Sequence, residues 1–222
     1  MNKKTAGFPV SGFDDWAENY DDSVLSDSFP FTGYPRVLER IVVLAAPQPG
    51  MRVLDLGCGT GNLALPFLQA GCEVWCTDFS QPMLDKARKK LPNAHFCLHD
   101  LHTPLPDEIH GPFDRIVSAY AFHHFDLPEK IRILQGLISH FAEDGLMLIG
   151  DVSFLTRSAL EAMKSTAGTE WEDEFYWLAA NAIPTLKAAG FTPLYEQVSD
   201  CGGIFSLTPS EGTRSIQPSS SE

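Results

Sequence analysis

The sequence predicts an α/β protein: a doubly wound, mostly parallel seven-stranded sheet with helices on both faces and an antiparallel last strand. Three observations predict it. Short apolar runs alternate with longer segments of helical periodicity along most of the chain. The runs are apolar throughout rather than half polar, as strands covered on both faces must be. The first clear run, "VLDL", falls into a glycine-rich turn, "GCGTG", of the kind that links a strand to a helix and cradles a nucleotide.

Each element has its own signal. "PRVLERIVVLAA" (35–46) carries Val37, Leu38, Ile41, Val42 and Ala45 at helical spacing, with Pro35 pre-set for the first turn. "MRVLDL" (51–56) is the first strand. "NLALPFLQA" reads as a helix ending at Gly71 and kinked at Pro66, which lacks a donor. "CEVWCTD" (72–78) is the second strand, and Ser80 caps a helix with Pro82 in its first turn. Strands follow at "AHFCLHD" (94–100) and "FDRIVSAY" (113–120). Asp126 and Glu129 form a D-x-x-E capping pattern, opening a helix through Phe141 with Ile131, Leu134, Ile138 and Phe141 inward. "LMLIGDV" (146–152) is the fifth strand, 156–190 a helical region, and "TPLYEQVS" and "GIFSL" a closing pair of strands.

The 222 residues, 44% of them hydrophobic, suit one sizeable core. The expected organisation is a flexible stretch over 1–12, a single domain over 13–207 and a disordered Ser- and Pro-rich tail over 208–222. A net charge of −13 argues against nucleic acid and anionic membrane as partners. The basic run "KARKK" (Lys86 to Lys90) reads as a solvated helix face. No apolar stretch approaches the roughly 20 residues of a membrane helix, and the first residues do not resemble a secretory signal. Cys58, Cys72, Cys76, Cys97 and Cys201 read as reduced thiols of a cytoplasmic protein.

In open parallel sheets ligands bind beyond the carboxyl ends of the strands. Asp55, Asp78, Asp100 and the segment Tyr120 to His124 fall at those ends. Aspartate is also a common turn former, but three in succession favour a site. The turn Gly57-Cys58-Gly59-Thr60-Gly61 brings its third glycine one residue early for the dinucleotide fingerprint, and no Lys-Ser/Thr follows it as in a phosphate loop. Asp55 would repel phosphates and attract an ammonium. Asp78 stands 21 positions after Gly57, where an acid accepts from ribose hydroxyls, with Phe79 beside it to lie against a purine. Asp100 is placed to accept from an exocyclic amine. These features describe an adenosine that carries an amino acid, S-adenosylmethionine.

"VLDLGCGTGN" resembles the first motif of the class I S-adenosylmethionine-dependent methyltransferases, small-molecule type, which have a Rossmann-like fold. Asp78 resembles the ribose-binding acid of their second motif, and Asp100-Leu101 their adenine-binding third. The resemblance covers about residues 14 to 207. It implies cofactor contacts at Asp55, Gly57, Cys58, Gly59, Gly61, Asp78, Phe79, Asp100, Leu101 and Tyr120. "FDDWAENYDD" (13–22) is similar to the N-terminal segment (13–34) of such enzymes, which places Tyr20 near the cofactor. Phe13, Trp16 and Tyr20 also fit an amphipathic helix packed on the sheet.

"SAYAFHHF" (118–125) follows the fourth strand, the position that in this family faces the methyl group and acceptor. His123 and His124, with Tyr20, are the candidate catalytic residues. One histidine is expected to shape the pocket and the other to border the acceptor. A base is not required, since alignment on an activated sulfonium supplies much of the rate. No metal is expected. Adjacent side chains diverge, and the only third donor near in sequence is Asp126, assigned as a cap. The stretch 153–180 is a candidate lid, with Trp171, Phe175, Tyr176 and Trp177 either covering a flat acceptor or packing along a helix.

The expected activity is methyl transfer from S-adenosylmethionine to a small molecule. Two rivals are a non-catalytic cofactor-binding module or assembly partner of the same fold, and a nicotinamide-dependent oxidoreductase. The early third glycine and Asp55 disfavour the latter.

Overall fold

The computed structural model describes residues 17–26 and 28–212. Residues 1–12, expected to be flexible, Phe13, Trp16 and the part of the expected tail beyond 212 lie outside the described residues.

The described residues open with one helical turn, α1 (Tyr20–Ser23), then α2 (Tyr34–Ala45) and β1 (Arg52–Leu56). α3 (Ala64–Gln69), β2 (Glu73–Asp78), α4 (Gln81–Lys90), β3 (His95–Leu98) and β4 (Phe113–Ala119) follow in strict alternation apart from the β3–β4 loop. After β4 come a tight helical turn (Phe122–His124), α5 (Leu127–Gly136) and β5 (Phe141–Phe154). The last part comprises α6 (Arg157–Ala167), β6 (Trp177–Leu178), α7 (Ala179–Ala188), β7 (Phe191–Gln197) and β8 (Gly202–Pro209).

Seven strands form the main sheet in the order β3-β2-β1-β4-β5-β8-β7, and the two-residue β6 pairs separately with β5. β1 to β5 are parallel, while β8 is antiparallel to both β5 and β7. The chain winds outward from β1 through β2 and β3, then restarts at β4 on the other side of β1. That reversal opens a crevice beyond the carboxyl ends of β1 and β4.

Alternation within the strands builds two cores. Val53 joins Val37, Ile41 and Phe67 on one face, whereas Leu54 and Leu56 join Ile116, Leu134 and Leu186 on the other. α2 presents Tyr34, Val37, Ile41 and Ala45, spaced three and four apart, and its Pro35 lies in the first turn. It packs so closely on β5 that a Cβ at Gly150 would stand 2.6 Å from Val37 Cγ1 and Ile41 Cδ1.

Several boundaries differ from expectation, each for a local reason. α3 begins only at Ala64, so Pro66 sits in the first turn, where its missing donor costs nothing. α5 has the expected Asp126–Glu129 capping box but stops at Gly136, and Phe141 is buried at the start of a 14-residue strand. Its deepest residues are Lys130, Ile133 and Leu134, with Ile131 half-buried, and Ile138 lies beyond its end, also half-buried. The helical region 156–190 divides in two: Gly168 (φ +54°) ends α6, and 171–176 has no regular structure. The four aromatic residues there therefore do not share a helix face. β8 runs to Pro209, paired with Phe191, so 208–209 belong to the sheet. The basic run of α4 is more than a solvated face, because Lys86 pairs with Glu18 (3.5 Å) and Lys90 with Asp21 (3.0 Å). All five cysteines are buried and unbridged.

Candidate active site

The glycine turn closes the carboxyl end of β1. Gly57, Gly59 and Gly61 have φ of +67°, +53° and +84°, the left-handed region that glycine adopts without strain. Two of them also face close neighbours: a Cβ at Gly57 would stand 2.7 Å from Ala121 Cβ, and one at Gly61 2.6 Å from Leu91 Cδ1. The backbone of Cys58 donates to Thr77 O (2.9 Å), tying the turn to β2.

Asp55 lies within β1, two residues before the turn, and is fully buried. Neither carboxylate oxygen has a hydrogen-bond partner among the described residues. Burial, with the charge of Asp78 adding to it, pushes its carboxyl up to about 8. A buried carboxylate without a donor is costly unless a cation arrives to meet it. Asp78 is differently placed. Its Oδ2 accepts from the Gly59 N–H (2.8 Å) and its Oδ1 from the Ser80 N–H (2.9 Å), so it ties the glycine turn to Ser80, the N-cap of α4.

α1 lies over the turn. A Cβ at Gly59 would be 3.9 Å from Tyr20 Cε1 and Cζ. Burial and the Tyr34 hydroxyl hold the Tyr20 phenol well above its ordinary pKa. Asp21 fastens this arrangement: it accepts from Thr60 Oγ1 (2.5 Å), Asn62 Nδ2 (3.0 Å) and Lys90 Nζ (3.0 Å). Lys90 also donates to Asn62 Oδ1 (2.5 Å). Asp21→Ala should weaken cofactor binding about tenfold by releasing α1 from the turn. The unfolding temperature should barely move, since these pairs are partly exposed. Calorimetric titration and a melting curve check both, and an unchanged affinity would refute the latch.

The other expected cofactor residues follow the ends of three strands, β2, β3 and β4. Phe79 follows Asp78 and is half-buried. Asp100 is exposed and closes its own loop, with Oδ1 meeting the backbone N–H (2.9 Å) and ring Nδ1 (2.7 Å) of His102. Leu101 lines a hollow of about 210 Å³ with Leu105, Arg132, Ile133 and Leu137. Tyr120 has φ +53°, uncommon for a non-glycine residue, and this turns the chain to bring Ala121 against Gly57. Its ring packs on Tyr34 (5.0 Å) and Phe31 (5.7 Å), and its buried hydroxyl has no partner among the described residues.

Beyond Ala121 the two histidines enter a charged cluster. His123 Nδ1 lies 2.6 Å from Oδ1 of Asp151, a fully buried residue of β5. The same carboxylate accepts from the Val152 N–H (2.8 Å) and the Trp177 indole (3.1 Å). Glu174 approaches from the 171–176 segment, 3.6 Å from His123 Nε2 and 3.3 Å from His124 Nδ1. That segment is pinned at Phe175, whose N–H donates to His123 O (3.0 Å) and whose carbonyl accepts from Lys130 Nζ. The Lys130 ammonium lies 4.3 Å from the Trp177 ring centroid.

Burial opposes charge on every member of this cluster, and partners decide the outcome. For His123 the Asp151 charge and hydrogen bond outweigh burial and raise its pKa. His124 is lowered by burial and by His123. Asp151 and Glu174 stay below the usual carboxylate range because the histidines outweigh burial. Burial brings Lys130 down to about 8. Above the cluster Phe29 stacks on Trp171 (5.0 Å) and meets Tyr176 edge-on (5.8 Å), joining the N-terminal segment to the 171–176 segment.

Residues 53–145 match the model of a methyltransferase domain family. An uncharacterized methyltransferase of Anoxybacillus flavithermus is 36% identical over 162 residues, 70% of this chain and 72% of that one. The chain belongs to the class I S-adenosylmethionine-dependent methyltransferases. Among solved structures the fold is similar to DhpI bound to SAH, with a TM-score of 0.71, 18% identity, and 95% and 100% of the two chains covered. It is also similar to magnesium protoporphyrin IX methyltransferase from Synechocystis PCC 6803, with a TM-score of 0.66, 20% identity, and 90% and 99% covered.

S-adenosylmethionine is the cofactor of this methyltransferase, and the residues present suit it. Asp55 supplies an unmatched buried carboxylate for an ammonium, and the left-handed glycine turn begins two residues after it. Sequence reasoning missed Asp21, Lys130, Asp151 and Glu174. Two had a signal: Asp151 interrupts an apolar strand, and Lys130 falls on the stripe of Ile133, Leu134 and Leu137. No described helix is long and apolar enough to cross a membrane.

Proposed function

We propose that this methyltransferase acts on a small molecule that enters between the N-terminal segment and the 171–176 segment. The supporting observation is that both flanks of the crevice are closed by the chain's own side chains: Asp21 latches one, and Phe29 with Trp171 joins it to the other. The aromatic rings of Phe29, Trp171 and Tyr176 at that junction suit a metabolite more than a nucleic acid or a folded protein.

When bound, the cofactor supplies an electrophilic methyl group on a sulfonium. Asp55 receives the ammonium, while Gly57, Cys58, Gly59 and Gly61 line the methionine end. Asp78, at the end of β2, serves the ribose hydroxyls, with Phe79 beside the purine. Asp100 presents Oδ2 to the exocyclic amine from its loop, next to Leu101, and Tyr120 braces the wall beneath. Tyr20 covers the turn. His123, held by Asp151, positions its neighbour, and His124 borders the acceptor. Transfer then rests on alignment and exclusion of water.

Titration with S-adenosylmethionine and S-adenosylhomocysteine should give micromolar binding of both. Asp78→Ala should weaken it tenfold or more through lost charge-assisted hydrogen bonds and a loosened turn. Product S-adenosylhomocysteine should form when the low-molecular-weight fraction of a cell extract is added. Turnover only with the macromolecular fraction would overturn the small-molecule reading.

A further inference from the structure

Glu174 changes what the paired histidines are able to do. One donor atom from each of His123, His124 and Glu174 lies within 4.8 Å of the other two. The rings of the adjacent histidines do not diverge, with centroids 4.1 Å apart. Asp126 is not the third donor, since it caps α5. The third donor arrives instead from a segment 50 residues downstream in sequence.

We propose that His123, His124 and Glu174 form a binding site for one divalent first-row transition ion, with zinc as its reference ligand. Three features carry this. The first is spacing. Metal–nitrogen and metal–oxygen bonds of about 2.0–2.2 Å place neighbouring donors roughly 3–3.5 Å apart. The Glu174 oxygens stand 3.6 Å and 3.3 Å from their histidine nitrogens. The second is orientation. His123 Nδ1 faces the Asp151 carboxylate, so it carries the proton and Nε2 is left as a donor towards Glu174. A carboxylate behind a histidine is the usual support of a metal ligand. Asp151 is itself fixed by Val152 and Trp177, so the support is rigid.

The third feature is the anchoring of Glu174. Its neighbour Phe175 is hydrogen-bonded through both backbone groups, and Trp177 begins the pairing with β5. The carboxylate is therefore delivered to the histidines by a fixed backbone. Two imidazoles and one carboxylate suit zinc, cobalt, nickel or manganese, not the all-oxygen shells of calcium and magnesium. Three protein ligands leave positions open, as in sites that also take a water or a substrate oxygen. His124 and Glu174 keep 21% and 14% of their side chains exposed, so the site has access to solvent. The proposal does not rest on the identity of the acceptor.

The test uses the full-length, tag-free chain, stripped with a chelator and titrated with zinc against a chromophoric chelator near neutral pH. One equivalent should bind with a sub-micromolar Kd. His124→Ala and Glu174→Gln should each weaken binding at least tenfold, and Asp151→Asn by about 10–100-fold through loss of the carboxylate that orients His123. The thiols are the obvious competitors, so X-ray absorption of the zinc-loaded wild type should show nitrogen and oxygen neighbours with imidazole scattering and no sulfur. That measurement needs no variant to fold. Binding no tighter than about 100 µM, tight binding that survives the His124 and Glu174 substitutions, or a sulfur shell would each overturn the site.

Discussion

Asp55→Asn should make the cofactor-free protein more stable and its cofactor binding at least tenfold weaker. The two effects have one origin. Asp55 is fully buried, and neither oxygen has a donor among the described residues. Its carboxyl is raised to about 8, with Asp78 the charge that adds to burial. The unfolded chain holds the same group near 4. Between those values the folded state binds a proton that the unfolded state has released. Stability therefore falls as pH rises from about 4 to about 8, then levels off, with a cost on the order of several kcal/mol. Asparagine cannot ionise, so the variant should escape this loss. Its melting temperature should exceed that of wild type by several degrees near pH 8, and the difference should vanish towards pH 4. Carboxylates held low, such as Asp151 and Glu174, drop out of this wild-type-minus-variant comparison.

Binding should show the complementary sign. An ammonium beside Asp55 favours the ionised form, so binding near neutral pH should release close to one proton in wild type and none from this site in the variant. Calorimetry in two buffers of different ionisation enthalpy reads that number. A variant less stable than wild type at pH 8 would mean that the carboxylate is held by a partner in the protein. Tight binding by a more stable variant would place the ammonium elsewhere.

The parts of this protein set by local physics were legible in sequence. Alternating apolar runs, Pro35, Ser80 and the Asp126–Glu129 box all act within a few residues, and each does in the structure what its spacing requires. The glycine turn was legible too, because three left-handed positions in five residues leave little choice of residue type. The segment 156–190 was not. Helical propensity there is overruled at Gly168 and by contacts with His123 and Lys130, both distant in sequence. Asp100 shows the converse. Its position at a strand end is legible, but the bonds of Oδ1 to His102 two residues away, which fix its loop, are not. The charged cluster is the least legible feature, because its members come from the turn after β4, from α5, from β5 and from the segment before β6. No single window of sequence holds them.

Asp151→Asn should destabilise the protein more than any other single change at the site. The carboxylate is buried and serves three donors: His123 Nδ1, the Val152 N–H and the Trp177 indole. An amide of the same shape keeps an acceptor oxygen for one or two of them but turns an NH₂ towards another. It also removes the charge that raises the His123 pKa and offsets the buried Lys130. Breaking a buried ionic cluster by removing one partner typically costs about 3–5 kcal/mol, since the remaining charges stay desolvated. For a domain of this size that is roughly 6–20 °C in melting temperature. The sign with pH is fixed by the folded-state shifts. Asp151 is held below its ordinary value, so its contribution is present above the unfolded carboxylate range and lost as pH falls through its folded pKa. His123 is raised, so its contribution is full below its unfolded pKa and lost as pH rises through the folded one. The deficit of the variant should therefore be greatest in mildly acidic solution and shrink on either side. Melting curves of both proteins across that range are the check. A deficit below about 1 kcal/mol, or one independent of pH, would show that the cluster is held by packing of Trp177 and Phe175 and not by charge.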